Sequence, residues 1–151
     1  MTVANRVGTL LAGLMTTALV GCGNGDKDAA EDNLALWQAK GPASYIYLME
    51  TSCLCTTSGA VRVVVTDGVV TSAVDTVSNQ ARPGKTMTEV LREVVREAGA
   101  GNETFEATYD STLGYLKRLE VDHDAGISDD EFSKQVTCLA PGVDSDVCPS
   151  P

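Results

Sequence analysis

Val61-Arg62-Val63-Val64-Val65-Thr66-Asp67-Gly68-Val69-Val70-Thr71-Ser72-Ala73-Val74 is the stretch on which the fold turns. Two runs rich in β-branched residues flank Asp67-Gly68, a dipeptide that accepts the positive φ angles of a two-residue type I′ turn. The spacing therefore predicts a β-hairpin.

Upstream, Ser44 to Cys55 alternates with Tyr45, Tyr47 and Met49 on one face and Ile46 and Leu48 on the other. A strand that is apolar on both faces belongs inside a sheet. Before it, Ala30, Leu34 and Trp37 recur at helical spacing and Gly41-Pro42 stops the run, which predicts a short helix. Downstream, Gln80 to Lys85 with Pro83-Gly84 reads as a loop. Thr86-Met87-Thr88-Glu89 reads as a capping box, and Met87, Val90, Leu91, Val94, Val95 and Ala98 form one apolar stripe of a helix. Glu89, Arg92, Glu93, Arg96 and Glu97 fill its other side as a solvated charged face. Phe105 to Tyr109 and Tyr115 to Asp122, joined through Asp110 to Gly114, predict a second hairpin.

Phe132 to Leu139 fits two patterns. Phe132, Val136 and Leu139 suit a helix capped by Ser128, and Phe132, Lys134, Val136 and Cys138 suit a strand; an edge strand is the reading adopted. The expected class is α+β: an antiparallel sheet of two hairpins plus flanking strands, with one or two helices packed on one face. Two hairpins separated by a helix hint at duplication, without a residue-level repeat.

The 151 residues fit one domain. Residues 1–8 carry Arg6 and the free amine, and Val7 to Val20 form an apolar run too short and too rich in Thr and Gly for a span of about 20 apolar residues. Leu19-Val20-Gly21-Cys22 then matches the lipobox of bacterial lipoproteins at every position. The expectation is a signal peptide over 1–21, cleavage before Cys22, and acylation of its thiol. Each buried methylene is worth about 0.8 kcal/mol, so two or three acyl chains hold the protein at a membrane. Gly23 rather than Asp after Cys22 favours the outer membrane where the host has one. Gly23 to Asp32 is polar and charged and reads as a tether over 22–32. A domain over 33–139 and a tail over 140–151 follow.

Removing residues 1–21 leaves ten basic residues against 21 acidic ones, a formal −11. Such a surface repels phosphate backbones and anionic lipid, which excludes nucleic acid as a partner and leaves membrane attachment to the lipid on Cys22.

Trp37, Tyr45-x-Tyr47, Cys53-x-Cys55, Val63-x-Val65-x-Asp67-Gly68-x-Val70, the helix at Thr88 to Val95, Tyr109-Asp110, Gly114-Tyr115, Val121-Asp122 and Asp129-Asp130-Glu131 follow one another in an order that resembles a family of bacterial secreted lipoproteins. The domain of that family is classed as of unknown function. The resemblance runs from Trp37 to about Val136, with departures at Leu116, where proline usually follows Gly-Tyr, and at Leu91, where phenylalanine is common. It implies fold and location, and carries over no catalytic residues.

Four cysteines remain besides Cys22. An even number in an exported chain points to disulfides, and four thiols allow three pairings. The closeness of Cys138 to Cys148 favours a local loop and leaves Cys53 with Cys55, a pairing that requires a bulge if the strand runs through both. Thiol–disulfide exchange at Cys53 and Cys55 is an alternative role. Asp122, Asp124, Asp129, Asp130 and Glu131 gather hard oxygen donors within ten residues, as calcium requires, but Gly126 and Ser133 fall outside EF-hand spacing. A calcium-dependent binding module is thus a further alternative. His123 stands beside these acids without a nucleophile. There is no nucleophile elbow and no phosphate-cradling glycine loop, so no catalytic residues and no cofactor are expected. The leading expectation is a non-catalytic module in the cell envelope that contacts another envelope protein or a small ligand. Tyr45, Tyr47, Tyr109, Tyr115 and Trp37 could line a binding face only if the second side of the sheet is uncovered.

Overall fold

The computed structural model describes residues 25–56, 58–124, 126–127, 129–144 and 148. The lipobox with Cys22 and the cap position Ser128 lie outside the described residues.

The elements are α1 (Gly25–Lys40), β1 (Tyr45–Cys53), β2 (Gly59–Thr66), β3 (Val69–Asp75), α2 (Met87–Ala98), β4 (Thr104–Tyr109), β5 (Leu116–Asp122) and β6 (Phe132–Pro141). The six strands form one open antiparallel sheet in the order β3-β2-β1-β6-β5-β4. Asp67 and Gly68 have φ of 50° and 78°, the left-handed pair that a type I′ hairpin needs.

Thr86 caps α2 by accepting from Glu89 N–H while the Glu89 carboxylate accepts from Thr86 N–H, a complete capping box. Met87, Val90, Leu91 and Val94 are then buried against the sheet with Tyr45, Tyr47, Val63, Val65, Leu116, Leu119 and Val121. The aromatics are core: Trp37 meets Tyr45 edge-on at 5.1 Å, Tyr45 Oη accepts from Met87 N–H, and Tyr47 Oη donates to Lys85 O at 2.5 Å. Tyr109 and Tyr115 are partly buried against the same core.

The tether expected over 22–32 is helical from Gly25 onward. Asp26 and Asp28 favour the positive end of the helix dipole, Lys27 pairs with Glu31 at 3.7 Å, and Ala30 is wholly buried where α1 packs on α2. Ala30 is the one fully buried residue in a segment whose composition reads as solvated, and Leu34 and Trp37 pack the remainder of the helix. Gly114 marks the other contact of α1: its φ is 78°, and a Cβ there would lie 2.4 Å from Asn33 O. Asp110 accepts from the N–H groups of Thr112 and Leu113, so the β4–β5 turn closes without proline at Leu116, which is fully buried.

β6 is not an edge strand. It lies between β1 and β5, and the edges are β3 and β4. Leu48 pairs with Cys138 and Met49 with Val136, which leaves Thr137 as a bulge. The extra residue flips the alternation, so Val136 joins the helix-side core while Cys138 turns to the opposite face. There Ile46, Ala140 and Cys148 form a small second cluster, with Val64 and Cys138 beside it. Cys148 belongs to the expected tail over 140–151, so that tail is packed at this residue.

Helix followed by three strands occurs twice along the chain. A dyad normal to the sheet would bring β1 beside β4, whereas β1 pairs with β6, so the topology adds no support for duplication. No helix among the described residues is long and apolar enough to cross a membrane.

Candidate functional site

Cys53, the last residue of β1, pairs across the ladder with Phe132, the first of β6. This register sets two segments far apart in sequence at one rim of the sheet: the Cys53-Leu54-Cys55 loop and the acidic connection between β5 and β6. Cys53 is bridged to Cys55 with a Cα separation of 5.2 Å, and Cys138 to Cys148 at 5.7 Å. The strand ends at Cys53, so the chain leaves extended geometry between the two bridged residues.

Closing the ring throws Leu54 outward, 77% exposed. On either side of it lie two clefts of about 410 and 320 Å³, which share Cys53, Leu54, Glu131 and Phe132. Ser52, Glu120, Asp122 and Ser133 line the larger, and Thr51, Cys55, Asp129, Asp130 and Lys134 line the smaller. The carboxylate oxygens Asp122 Oδ1 and Asp130 Oδ1 are buried with no protein partner, one beside each cleft. A buried acceptor left unmatched costs roughly 1–3 kcal/mol.

Only part of the acidic set meets here. Asp122, Asp129, Asp130 and Glu131 line the clefts, whereas Asp124 accepts from Gly126 N–H at 2.9 Å and shapes its own turn. Among the described residues no group of three or more His, Cys, Asp or Glu side chains is placed to hold a metal ion. His123 is exposed, with Nδ1 2.6 Å from Asn102 Oδ1 and its ring 6.0 Å from that of Phe132. Both contacts are structural.

Lys134 is the cation at the cleft wall, and it is already engaged. Its Nζ donates to Glu93 Oε2 at 3.0 Å and stands 5.5 Å above the Phe132 ring. Glu93 also takes the Lys85 ammonium. Burial raises the Glu93 carboxyl, but the hydrogen bonds from Lys85 and Lys134 outweigh it and hold the group below its ordinary value. Glu93 is thus no part of a solvated face, as helix spacing alone suggested; it ties α2 to β6.

A larger cleft of about 690 Å³ lies between the end of α1, the β2–β3 turn and the start of α2, lined by Trp37, Tyr45, Val69, Val70 and Arg92 among others. Several of its polar groups are engaged, since Thr86 and Glu89 cap α2 and Tyr45 Oη accepts from Met87 N–H, while Gln38, Thr88 and Arg92 also line it. Tyr109 Oη, buried without a partner elsewhere in the core, is pushed up to about 12 by burial and then by Asp26. The rim therefore holds the better case for a ligand.

The profile of a family of unknown function (DUF6174) matches residues 29–141. The chain belongs to that family. The match begins within α1 and ends with β6, so it spans the whole sheet and both faces of the rim. No curated protein and no solved structure matches the chain. Of the rim residues, Leu54 and Lys134 were not singled out from sequence as functional. A leucine held between two half-cystines was the available signal for the first.

Proposed function

We propose that this member of the family is a lipid-anchored protein of the cell envelope, facing outside the cytoplasm, that has no catalytic activity and works by contacting another envelope protein through the Cys53–Phe132 rim. Leu19-Val20-Gly21-Cys22 supports the anchor, and the pairing of Cys53 with Cys55 and of Cys138 with Cys148 suits an oxidising compartment. Gly23 favours the outer membrane in a host that has one. The observation that carries the contact surface is Leu54, an apolar side chain displayed on a covalently closed loop between two clefts. Leu54 borders both clefts, so a partner seated on the rim would bury its exposed apolar surface.

The mature N-terminal peptide is expected to start at acylated Cys22, and Cys22→Ser is expected to move the protein from the detergent phase to the aqueous phase. A native protein that begins at Met1, or leaves membranes without detergent, overturns the anchor. A photo-reactive residue at Leu54 is expected to give one discrete adduct in intact membranes, and the same residue at exposed Lys117 none. Equal labelling from both positions overturns the rim.

One observation favours a second reading, thiol–disulfide exchange: the Cys53–Cys55 bridge forms part of a cleft wall and Cys55 is exposed. An external dithiol would supply the two electrons, attack one sulfur to give a mixed disulfide, and leave oxidised while both cysteines become thiols. A bridge that stays intact in mild dithiol reductant removes this reading.

A further inference from the structure

Around Leu54 the rim joins apolar surface to uncompensated negative charge. Leu54, Phe132, Val121 and the Cys53–Cys55 bridge supply apolar wall, and both clefts fall at the lower end of the roughly 300–1,000 Å³ typical of sites that enclose a compact group. Asp122, Asp129, Asp130 and Glu131 line the same clefts. The Arg118 guanidinium is paired with Glu120 and the Lys134 ammonium with Glu93, so neither cation is paired with those four carboxylates.

We propose that the rim binds a protein segment in which Lys or Arg stands next to apolar residues, with Leu54 against the apolar part and the cleft-lining carboxylates of Asp122 and Asp130 accepting from the cationic side chain. This deepens the interaction reading above and rests on it. Charge complementarity selects the occupant. The mature chain carries a formal −11, which repels acidic segments, anionic headgroups and nucleic acid and steers a basic segment toward the rim. A bare metal ion fits poorly, because the described acids do not converge on one point. A guanidinium or ammonium needs no such convergence: it requires one or two acceptors and an apolar wall for its methylene stem. Asp122 lines one of the two clefts that share Leu54 and Asp129 and Asp130 line the other, so successive side chains of one bound segment can meet carboxylates in both.

The test uses the full acylated chain in neutral detergent micelles and three synthetic peptides: one alternating Arg and Leu, one with Glu for each Arg, and one with Gly for each Leu. The first is expected to bind at least about tenfold tighter than either of the others, and to weaken severalfold as salt rises from about 0.05 to 0.5 M. Leu54→Ser and Asp130→Asn are each expected to weaken it about fivefold or more while leaving the urea midpoint unchanged; the Leu54 variant tests the apolar half even if an aspartate variant fails to fold. Equal binding of the three peptides, or binding indifferent to both variants, overturns the proposal. An adduct at Leu54 in membranes together with no preference for the Arg-Leu peptide overturns the cationic partner alone. Loss of both the adduct and the peptide binding overturns the interaction reading as well.

Discussion

On its helix side the sheet is covered by α1 and α2 and presents a core running from Ala30 through Tyr47 and Leu91 to Val121, whereas on its other side the described apolar cluster is small, centred on Ile46, Ala140 and Cys148. The first side is closed by burial of many large side chains. The second is closed by a covalent tie, since the bridge from Cys138 brings Cys148 over the sheet, its Sγ 4.0 Å from Ile46 O. Beyond buried Leu48, the part of that face formed by Glu50, Ser52, Arg118, Glu120 and Gln135 is polar. A sheet with one thick and one thin cover keeps its stability on one side and leaves its opposite face and rim available for contact. Leu54, exposed at the rim, is therefore expected to be changeable at little cost to folding.

The comparison breaks first at the helix side. Leu91→Ala removes a fully buried side chain between α2 and the sheet and is expected to cost about 3 kcal/mol, read as a lower urea midpoint with unchanged slope. A loss below about 1 kcal/mol would show that the helix side is not the better packed of the two.

Cys138→Ser combined with Cys148→Ser should come next, at about 2–3 kcal/mol by loop-closure entropy for this separation of ten residues. Protease should then cut first after residue 141, because the tail loses its tie to the sheet. An unchanged midpoint and cleavage pattern would mean that the thin cover stays in place without the bridge.

The smallest effect is electrostatic and belongs to the seam between α2 and β6. Glu93→Gln is expected to cost about 1 kcal/mol at neutral pH, since the pair with Lys134 is only part-exposed. The Glu93 carboxyl is held below its ordinary 4.5, so its contribution is complete above that value and fades as the pH falls through the lower folded value. The gap between wild type and variant, followed by urea titration from pH 7 downward, should therefore close in acid. A gap that widens in acid would assign Glu93 the opposite role.

How much of this was legible differs element by element. The β2–β3 hairpin and the capping box of α2 follow from Asp67-Gly68 and from Thr86 with Glu89, because short-range hydrogen bonding and backbone stereochemistry decide both. The first half of α1 was hidden, since Ala30 is its one buried residue and the neighbouring residues are those of a solvated segment. The interior place of β6 was hidden for another reason. Its alternation is reset at Thr137, and a bulge is fixed by the partner strand rather than by the bulged one. At the rim, Cys53 to Cys55 and Asp129 to Glu131 were each visible as separate candidates, but their meeting depends on the Cys53–Phe132 register, which no local pattern encodes.

The sequence alone determined what neighbouring residues settle among themselves: the lipobox reading, the acidic charge, the two hairpins, the α2 stripe and the even set of cysteines. Only the tertiary structure decided what distant segments do to one another: β6 between β1 and β5, Glu93 between Lys85 and Lys134, and Leu54 displayed between two acidic clefts. The division follows range, because turn and cap preferences act over a few residues whereas strand order and register are chosen by burial summed over the whole sheet.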